Sequence, residues 1–444
     1  MVTLAVAWLG LARERSTRRL WVVWAAWCLP LLVAPTVFSR DVYSYLAQGT
    51  ILHLGLSPYH HAPAVLGHGA ALTAVDPFWR HTTAPYGPIF LGLASLLSGA
   101  GTIAGVVLLR LIEVAGAGLA AICAPRLARR LGADPARALW LVALSPLVLL
   151  GLIVPAHNDA LMAGLMLAGV TLALERRPLA GIVICALAAT IKLPAAAAIP
   201  FIAVGWARTQ PTAGARAAVL ARAAAAVLVV ALLVSAIPGI GFSWLSTSLF
   251  STPQKVRLAI TPATALGWTG AAVLRDIGLT VGARGLESAL SVIAFCAVGV
   301  GAVVLLARTR LERMPRDLGW LLVAAAFCGP AAWPWYFIWG LALLAACPET
   351  QRASALALAV MLPVFLVKAG GVLALPLQSS PELDAYLSEH LDGARGRLAR
   401  CLAVKLENRA HLALDLHGKS KARRKARFRG EVSSGIVEVL GKAG

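Results

Sequence analysis

Asp41 stands at the edge of an apolar segment, in the run Ser39-Arg40-Asp41-Val42-Tyr43-Ser44-Tyr45-Leu46-Ala47-Gln48-Gly49. A carboxylate there is expensive to keep unless something uses it. It reads either as a general base that takes a proton from an acceptor hydroxyl, or as half of an Arg40–Asp41 pair anchoring a helix end. Position alone does not separate the two. The same stretch gathers Tyr43, Tyr45, Gln48, Tyr59, His60, His61, Trp79, Arg80, His81 and Tyr86, and ends in Thr83-Ala84-Pro85-Tyr86-Gly87-Pro88. Flat aromatic faces beside hydrogen-bonding side chains suit sugar rings. An interfacial aromatic belt accounts for the Trp and Tyr residues, but not for the histidines among them. His60 and His61 are adjacent and point apart, so the histidines have no zinc spacing.

Two further groups carry charge where it is costly. His157-Asn158-Asp159 forms a turn between apolar segments. It suits an acceptor, a metal ion or a phosphate-bound water, and Asn158 or Asp159 equally suits the N-cap of the next helix. Lys192, in Thr190-Ile191-Lys192-Leu193-Pro194, lies between two short apolar segments and needs an anion. A lipid-linked phosphate fits, because lysine serves phosphate as a point charge; snorkelling to the interface is the alternative. Lys255 and Arg257, and Arg110 inside a span, are weaker candidates for the same task.

The elements that position these residues are apolar. Hydrophobic residues make up 59% of the 444 and charged residues only 14%, with a mean hydropathy of +0.78. Soluble domains carry about 25% charged residues. Continuous apolar runs of membrane-crossing length recur, which predicts an all-α integral membrane protein rather than a barrel. The net charge of +20 falls in clusters between spans, as in cytoplasmic loops, and requires no nucleic acid. The seven cysteines are scattered and read as packing residues.

Basic clusters set the topology. Residues 1–19 form a short segment whose apolar part, 1–11, is too short to span, with Arg13, Arg15, Arg18 and Arg19 on the inner side. Residues 20–38 cross outward. Residues 39–101 form a long external loop containing an interfacial helix from Tyr43 to Leu54 and a half-helix at 88–98. Further spans follow at 102–124, 138–154, 160–174, 217–237, 286–307, 318–332, 335–347 and 353–375, with short segments at 179–190 and 194–207. Residues 238–285 are a second external region. About eleven transmembrane helices result. The tail, 379–444, is polar with a basic run from Lys419 to Arg429; the span count places it outside and its charge argues inside.

The run RDVYSYLAQG, then LSPY, TTAPYGP, HND, IKLP and PWYF, in this order across residues 20–375, resembles the actinobacterial polyprenyl-phosphate-mannose-dependent α-(1→6)-mannosyltransferases (the MptA/MptB family). HND and KLP are shared with other lipid-sugar-dependent transferases; the first-loop motif is more specific. The resemblance implies a GT-C transmembrane catalytic domain over 20–378, with its active site at the external face of the plasma membrane. It implies a polyprenyl-phosphate-mannose donor, a mannosylated glycolipid acceptor and growth of the mannan backbone of lipomannan and lipoarabinomannan. A β-linked donor and an α-linked product require inversion, with Asp41 as the base. Lys192, with Arg40, Lys255 or Arg257, would meet the leaving phosphate. Tyr43, Tyr45, Gln48, Tyr59, Trp79, His81, Tyr86, His157, Asn158, Asp159, Trp335 and Tyr336 would line the sugar and acceptor side. No cofactor is implied, and a divalent metal is not obviously needed. The family pattern also implies more helix upstream, and the tail matches nothing in it.

Two other readings stay open. A GT-C enzyme with another acceptor, a phosphatidylinositol mannoside or a protein, would have the same motifs. A flippase or transporter would face ionisable residues along a path at mid-membrane; here only Arg110, Glu113 and Lys192 lie so deep, and the polar chemistry gathers in external loops.

Overall fold

The computed structural model describes residues 2–36, 39–67, 70–247, 261–279, 282–329 and 331–367. Lys255, Arg257 and the tail lie outside them. Among the described residues all regular structure is helical. The longer helices are α1 (Val2–Gly10), α2 (Thr17–Val33), α3 (Asp41–His53), α4 (Pro88–Leu97), α5 (Thr102–Leu131), α6 (Pro135–Val142), α7 (Asp159–Leu174), α8 (Pro178–Ala189), α9 (Ala198–Ala207), α10 (Ala213–Ser235), α11 (Pro262–Asp276), α12 (Ala283–Arg308), α13 (Met314–Cys328), α14 (Ile338–Leu344) and α15 (Gln351–Val367).

Local sequence explains where several begin and end. Ser16 caps α2 by accepting from the Arg19 amide, and Asp134 caps α6 by accepting from Ala136 and Arg137, with Pro135 at the first helical position. α5 stops at Gly132, whose φ of 76° is open to glycine at little cost. α6 breaks after Val142 because Ser145-Pro146 starts a new turn; the Ser145 hydroxyl accepts from the Val148 amide, and a π-helical turn follows at Leu149–Ile153.

Packing centres on α5 and α7. A Cβ placed on Gly164 of α7 would sit 2.2 Å from the Gly116 carbonyl oxygen of α5. The backbones therefore touch, as small residues allow in an apolar solvent. α1 is fastened to α6 by a stacked indole pair, Trp8 and Trp140, with centroids 4.5 Å apart. Each indole N–H donates to the other residue's carbonyl.

The membrane expectation holds in its coarse form. Four described stretches, Thr102–Leu131, Pro135–Ile153, Ala213–Ser235 and Ala283–Arg308, are long and apolar enough to cross a membrane. The other apolar helices are shorter than a straight span requires, so a count of eleven is not reached on this criterion. Helices α3 and α4 stand where an interfacial helix and a half-helix are expected. The expected 102–124 span runs on to Leu131, which puts Arg126, Arg129 and Arg130 on the helix itself. Within 238–285, expected as a second external region, α11 occupies 262–276, capped by Thr261 with Pro262 at its first position.

Candidate functional site

Asp41 is the first residue of α3, and its amide donates to the Ser39 hydroxyl at 3.1 Å. The second acid, Asp159, is the first residue of α7. The chain reaches it through the π turn and a tight bend in which Ala156 takes a φ of +54°, a left-handed conformation that costs alanine about 1–2 kcal/mol. The His157 amide closes the bend onto the Leu152 carbonyl at 2.8 Å.

Five side chains make one network. Lys192 Nζ donates to both carboxylate oxygens of Asp159 at 2.9 and 2.8 Å, and the Trp339 indole N–H donates to Asp159 Oδ1 at 2.6 Å. His157 Nδ1 lies 3.9 Å from Asp41 Oδ2 and 3.9 Å from Asp159 Oδ2. Asp159 and His157 are closed off, with side chains 0% and 1% exposed, while Asp41 and Lys192 keep 18% and 15%. The two ends that solvent reaches are thus a carboxylate and an ammonium. Aromatic rings wall the cation: Lys192 Nζ is 4.5 Å from the Tyr336 centroid and 5.6 Å from that of Trp339, within cation–π range. Trp335 lies against the His157 ring at 4.3 Å and stacks on Trp333 at 4.9 Å.

The TTAPYGP turn places the lysine. The Gly87 amide donates to the Ile191 carbonyl at 3.0 Å, and the Ile89 amide to Thr190 at 3.1 Å. A Cβ on Gly87 would fall 2.0 Å from the Thr190 oxygen, so only glycine allows this approach. Two motifs far apart in sequence are one structure here.

Burial sets the electrostatics. It pushes the Asp41 carboxyl up to about 6, although the Ser39 contact, the Lys192 charge and a hydrogen bond from Trp79 each favour the ionised form. Such a group is mostly ionised near neutrality yet basic enough to take a proton. Burial, with Lys192 adding to it, holds His157 well below its usual value. The imidazole is therefore neutral, and its Nδ1 faces two carboxylates, which favours the tautomer with the proton there. Burial opposes the Lys192 charge, but Asp159 beside it holds the ammonium above its ordinary range.

The structure brings Asp41, His157, Asp159, Lys192, Trp335 and Tyr336 together, with Trp79 at the edge of the group. The anion next to Lys192 is Asp159. Asn158 holds the N-cap position of α7 but makes no side-chain cap bond, so capping does not account for this turn. Arg40 gives its guanidinium to the Ala74 carbonyl at 2.6 Å and to the face of Tyr43, with no bond to Asp41. Tyr43 bonds Thr36. Tyr45, Tyr59 and Tyr86 are buried; Tyr45 and Tyr86 meet edge to face at 4.9 Å, and the Tyr59 hydroxyl donates to the Tyr86 carbonyl. Their rings are core, not an open sugar platform. His81 is exposed. Gln48 Oε1, Ser44 Oγ, His157 Nε2 and both amide atoms of Asn158 are buried without a partner. Trp339 escaped the sequence reading, although its spacing of three from Tyr336 puts both rings on one helical face; they stack at 4.4 Å. Among the described residues no three His, Cys, Asp or Glu side chains form a metal-holding group.

Two family models match the chain: "Alpha-(1->6)-mannopyranosyltransferase, N-terminal domain" over residues 1–208 and "MptB C-terminal domain" over 263–375. Alpha-(1->6)-mannopyranosyltransferase A of Mycobacterium tuberculosis is 38% identical over 373 residues, covering 79% of this chain and 70% of that protein. A probable alpha-(1->6)-mannopyranosyltransferase of Mycolicibacterium smegmatis is 34% identical over 415 residues, covering 83% and 74%. Alpha-(1->6)-mannopyranosyltransferase A of Corynebacterium glutamicum is 38% identical over 180 residues, covering 40% and 36%.

Proposed function

The chain belongs to the alpha-(1->6)-mannopyranosyltransferase family and is a glycosyltransferase, and we propose that it moves mannose from a polyprenyl phosphate to a mannosylated glycolipid, with inversion. The observation that carries this reading is the solvent-reached pair at the ends of one buried network, Asp41 at one end and Lys192 at the other. Asp41 accepts the proton of the acceptor hydroxyl as its oxygen bonds to C1 of the mannose. The bond from C1 to the phosphate oxygen breaks in the same displacement, and the phosphate leaves with the electron pair. Lys192 meets the charge that grows there, in a setting where electrostatic stabilisation counts most. Asp159 and Trp339 hold the ammonium in place, and His157 spaces the two carboxylates. The fold is a GT-C bundle over 20–378, with the short helices completing its spans and the site at the external face of the plasma membrane. The product is a longer α-1,6-mannan backbone of lipomannan and lipoarabinomannan.

The test is transfer from radiolabelled polyprenyl-phosphate-mannose to an α-1,6-dimannoside by purified protein in nanodiscs, wild type against Asp41→Asn. Removing a general base costs about 10²–10⁴-fold, so the variant is expected to be nearly silent while remaining monodisperse. Equal transfer by both would take Asp41 out of the chemistry.

A further inference from the structure

α5 carries two ionisable residues that the proposed reaction does not use, Arg110 and Glu113, 2% and 0% exposed. They lie three apart and so share a helix face. No ion pair joins them. The Arg110 Nε donates to the Val154 carbonyl at 2.9 Å, and its Nη1 donates to Leu32 at 2.9 Å and to Ala34 at 2.6 Å. These oxygens close two helix ends: Val154 follows the π turn, and Leu32 and Ala34 are the last turn and C-cap of α2. Glu113 Oε2 accepts the Leu161 amide at 2.9 Å. That N–H is in the first turn of α7, where Asn158 leaves the capping position unfilled.

A cation thus sits at two helix C-termini, the sign that the peptide dipoles favour there, and a buried carboxyl accepts a free N–H at one N-terminus. The result is a grip on both flanks of one turn. Arg110 holds it at Val154, three residues before His157; Glu113 holds it at Leu161, two residues after Asp159. Through Ala34 the same arginine holds the segment that leads to Asp41. The close α5–α7 crossing at Gly116 and Gly164 lets Glu113 reach the neighbouring helix.

We infer that Arg110 and Glu113 are positioning residues that fix the Asp41 carboxylate against the His157–Asp159 turn. This inference rests on the reading above that these acids do the chemistry. Misplacing reacting groups by about 1 Å costs on the order of 10²-fold in rate. The expected effect therefore falls on kcat, with KM little changed.

The experiment uses the full chain in nanodiscs, with Glu113→Leu, Glu113→Gln, Arg110→Met and Arg110→Lys, and with Asp41→Asn beside them. Transfer kinetics and amide hydrogen exchange are read on the same samples. Glu113→Leu is expected to lower kcat by about 10²-fold and to speed exchange at Leu161. Glu113→Gln, whose amide oxygen still accepts, is expected to restore both. Arg110→Met is expected to speed exchange around Ala34 and around the turn together, and Arg110→Lys, which keeps the charge but loses the fork, to release one of the two. Unchanged exchange in Glu113→Leu would overturn the grip. Faster exchange with an unchanged kcat would overturn its bearing on the reaction. If Asp41→Asn transfers like wild type, the catalytic reading fails separately, and with it the positioning role.

Discussion

The stretch Pro135–Ile153 and α12 are both long and apolar enough to cross a membrane, yet 94% of the most apolar window of the first is buried within the chain and 0% of the second. Most of α12 is exposed; Val298, Ala302, Leu305 and Leu306 pack only partly against the core, and only Glu287 among its residues is buried. The first stretch is wrapped by protein and feeds directly into the bend that carries His157 and Asp159. The difference teaches that apolar residues serve two solvents in one molecule. The exposed face of α12 is apolar enough to suit lipid, where any hydrocarbon side chain will do. Around α6 the solvent is other helices, and shape, glycine contacts and paired charges decide the outcome.

Substitutions that widen this contrast most come first. Asp159→Ala leaves Lys192 without its carboxylate. Breaking a buried pair costs about 3–5 kcal/mol, and transfer is expected to vanish along with a clear fall in the melting temperature followed by tryptophan fluorescence. Transfer near the wild-type rate would show that the pair is dispensable. Gly87→Ala pushes a methyl group into the Thr190 carbonyl and moves Lys192. Transfer should drop by about 10²-fold, with phosphate-analogue binding weakened in a direct assay.

The Asp41 carboxyl, raised to about 6, gives a pH limb whose sign follows from the ionised form being the base. Activity should be level above neutrality and fall about tenfold per pH unit below about 6. Initial rates across pH in wild type check this, and a limb centred near an ordinary aspartate value would contradict it. Leu139→Ala, in the wrapped stretch and fully buried, should cost about 2–5 kcal/mol of stability. Val303→Ala, 67% exposed on α12, should change stability by less than about 0.5 kcal/mol. Comparable melting shifts for these last two would erase the contrast between the regions.

What sequence could reveal follows the same division. Apolar runs and breakers are local, so α3, α4 and the short helices around Lys192 emerge close to where they were expected. α11 is legible too, since Thr261-Pro262 is a start signal, although the reading of 238–285 as an external region names no helix there. The site was legible as a set of residue types and not as a set of pairs. Asp159 finds Lys192 across 33 positions and Trp339 across 180, and no local period encodes such distances. Tyr45, Tyr59 and Tyr86 show the converse. An aromatic in a polar stretch has the same letters whether its ring faces a ligand or other rings, and only packing against Phe90 and one another decides. Arg110 and Glu113 stood out as charges within a span, but their partners are backbone groups, which carry no side-chain signature at all.

The paired indoles of Trp8 and Trp140 also bear on time. The two residues are 132 positions apart, and a ribosome adds about 5–20 residues per second. Trp8 therefore waits about 7–26 seconds for the ring that will stack on it and the carbonyl that will take its N–H. Through that interval α1 lacks this partner, and its docking onto Trp140 can only follow the arrival of α6. The earlier of the two helices is thus seated late.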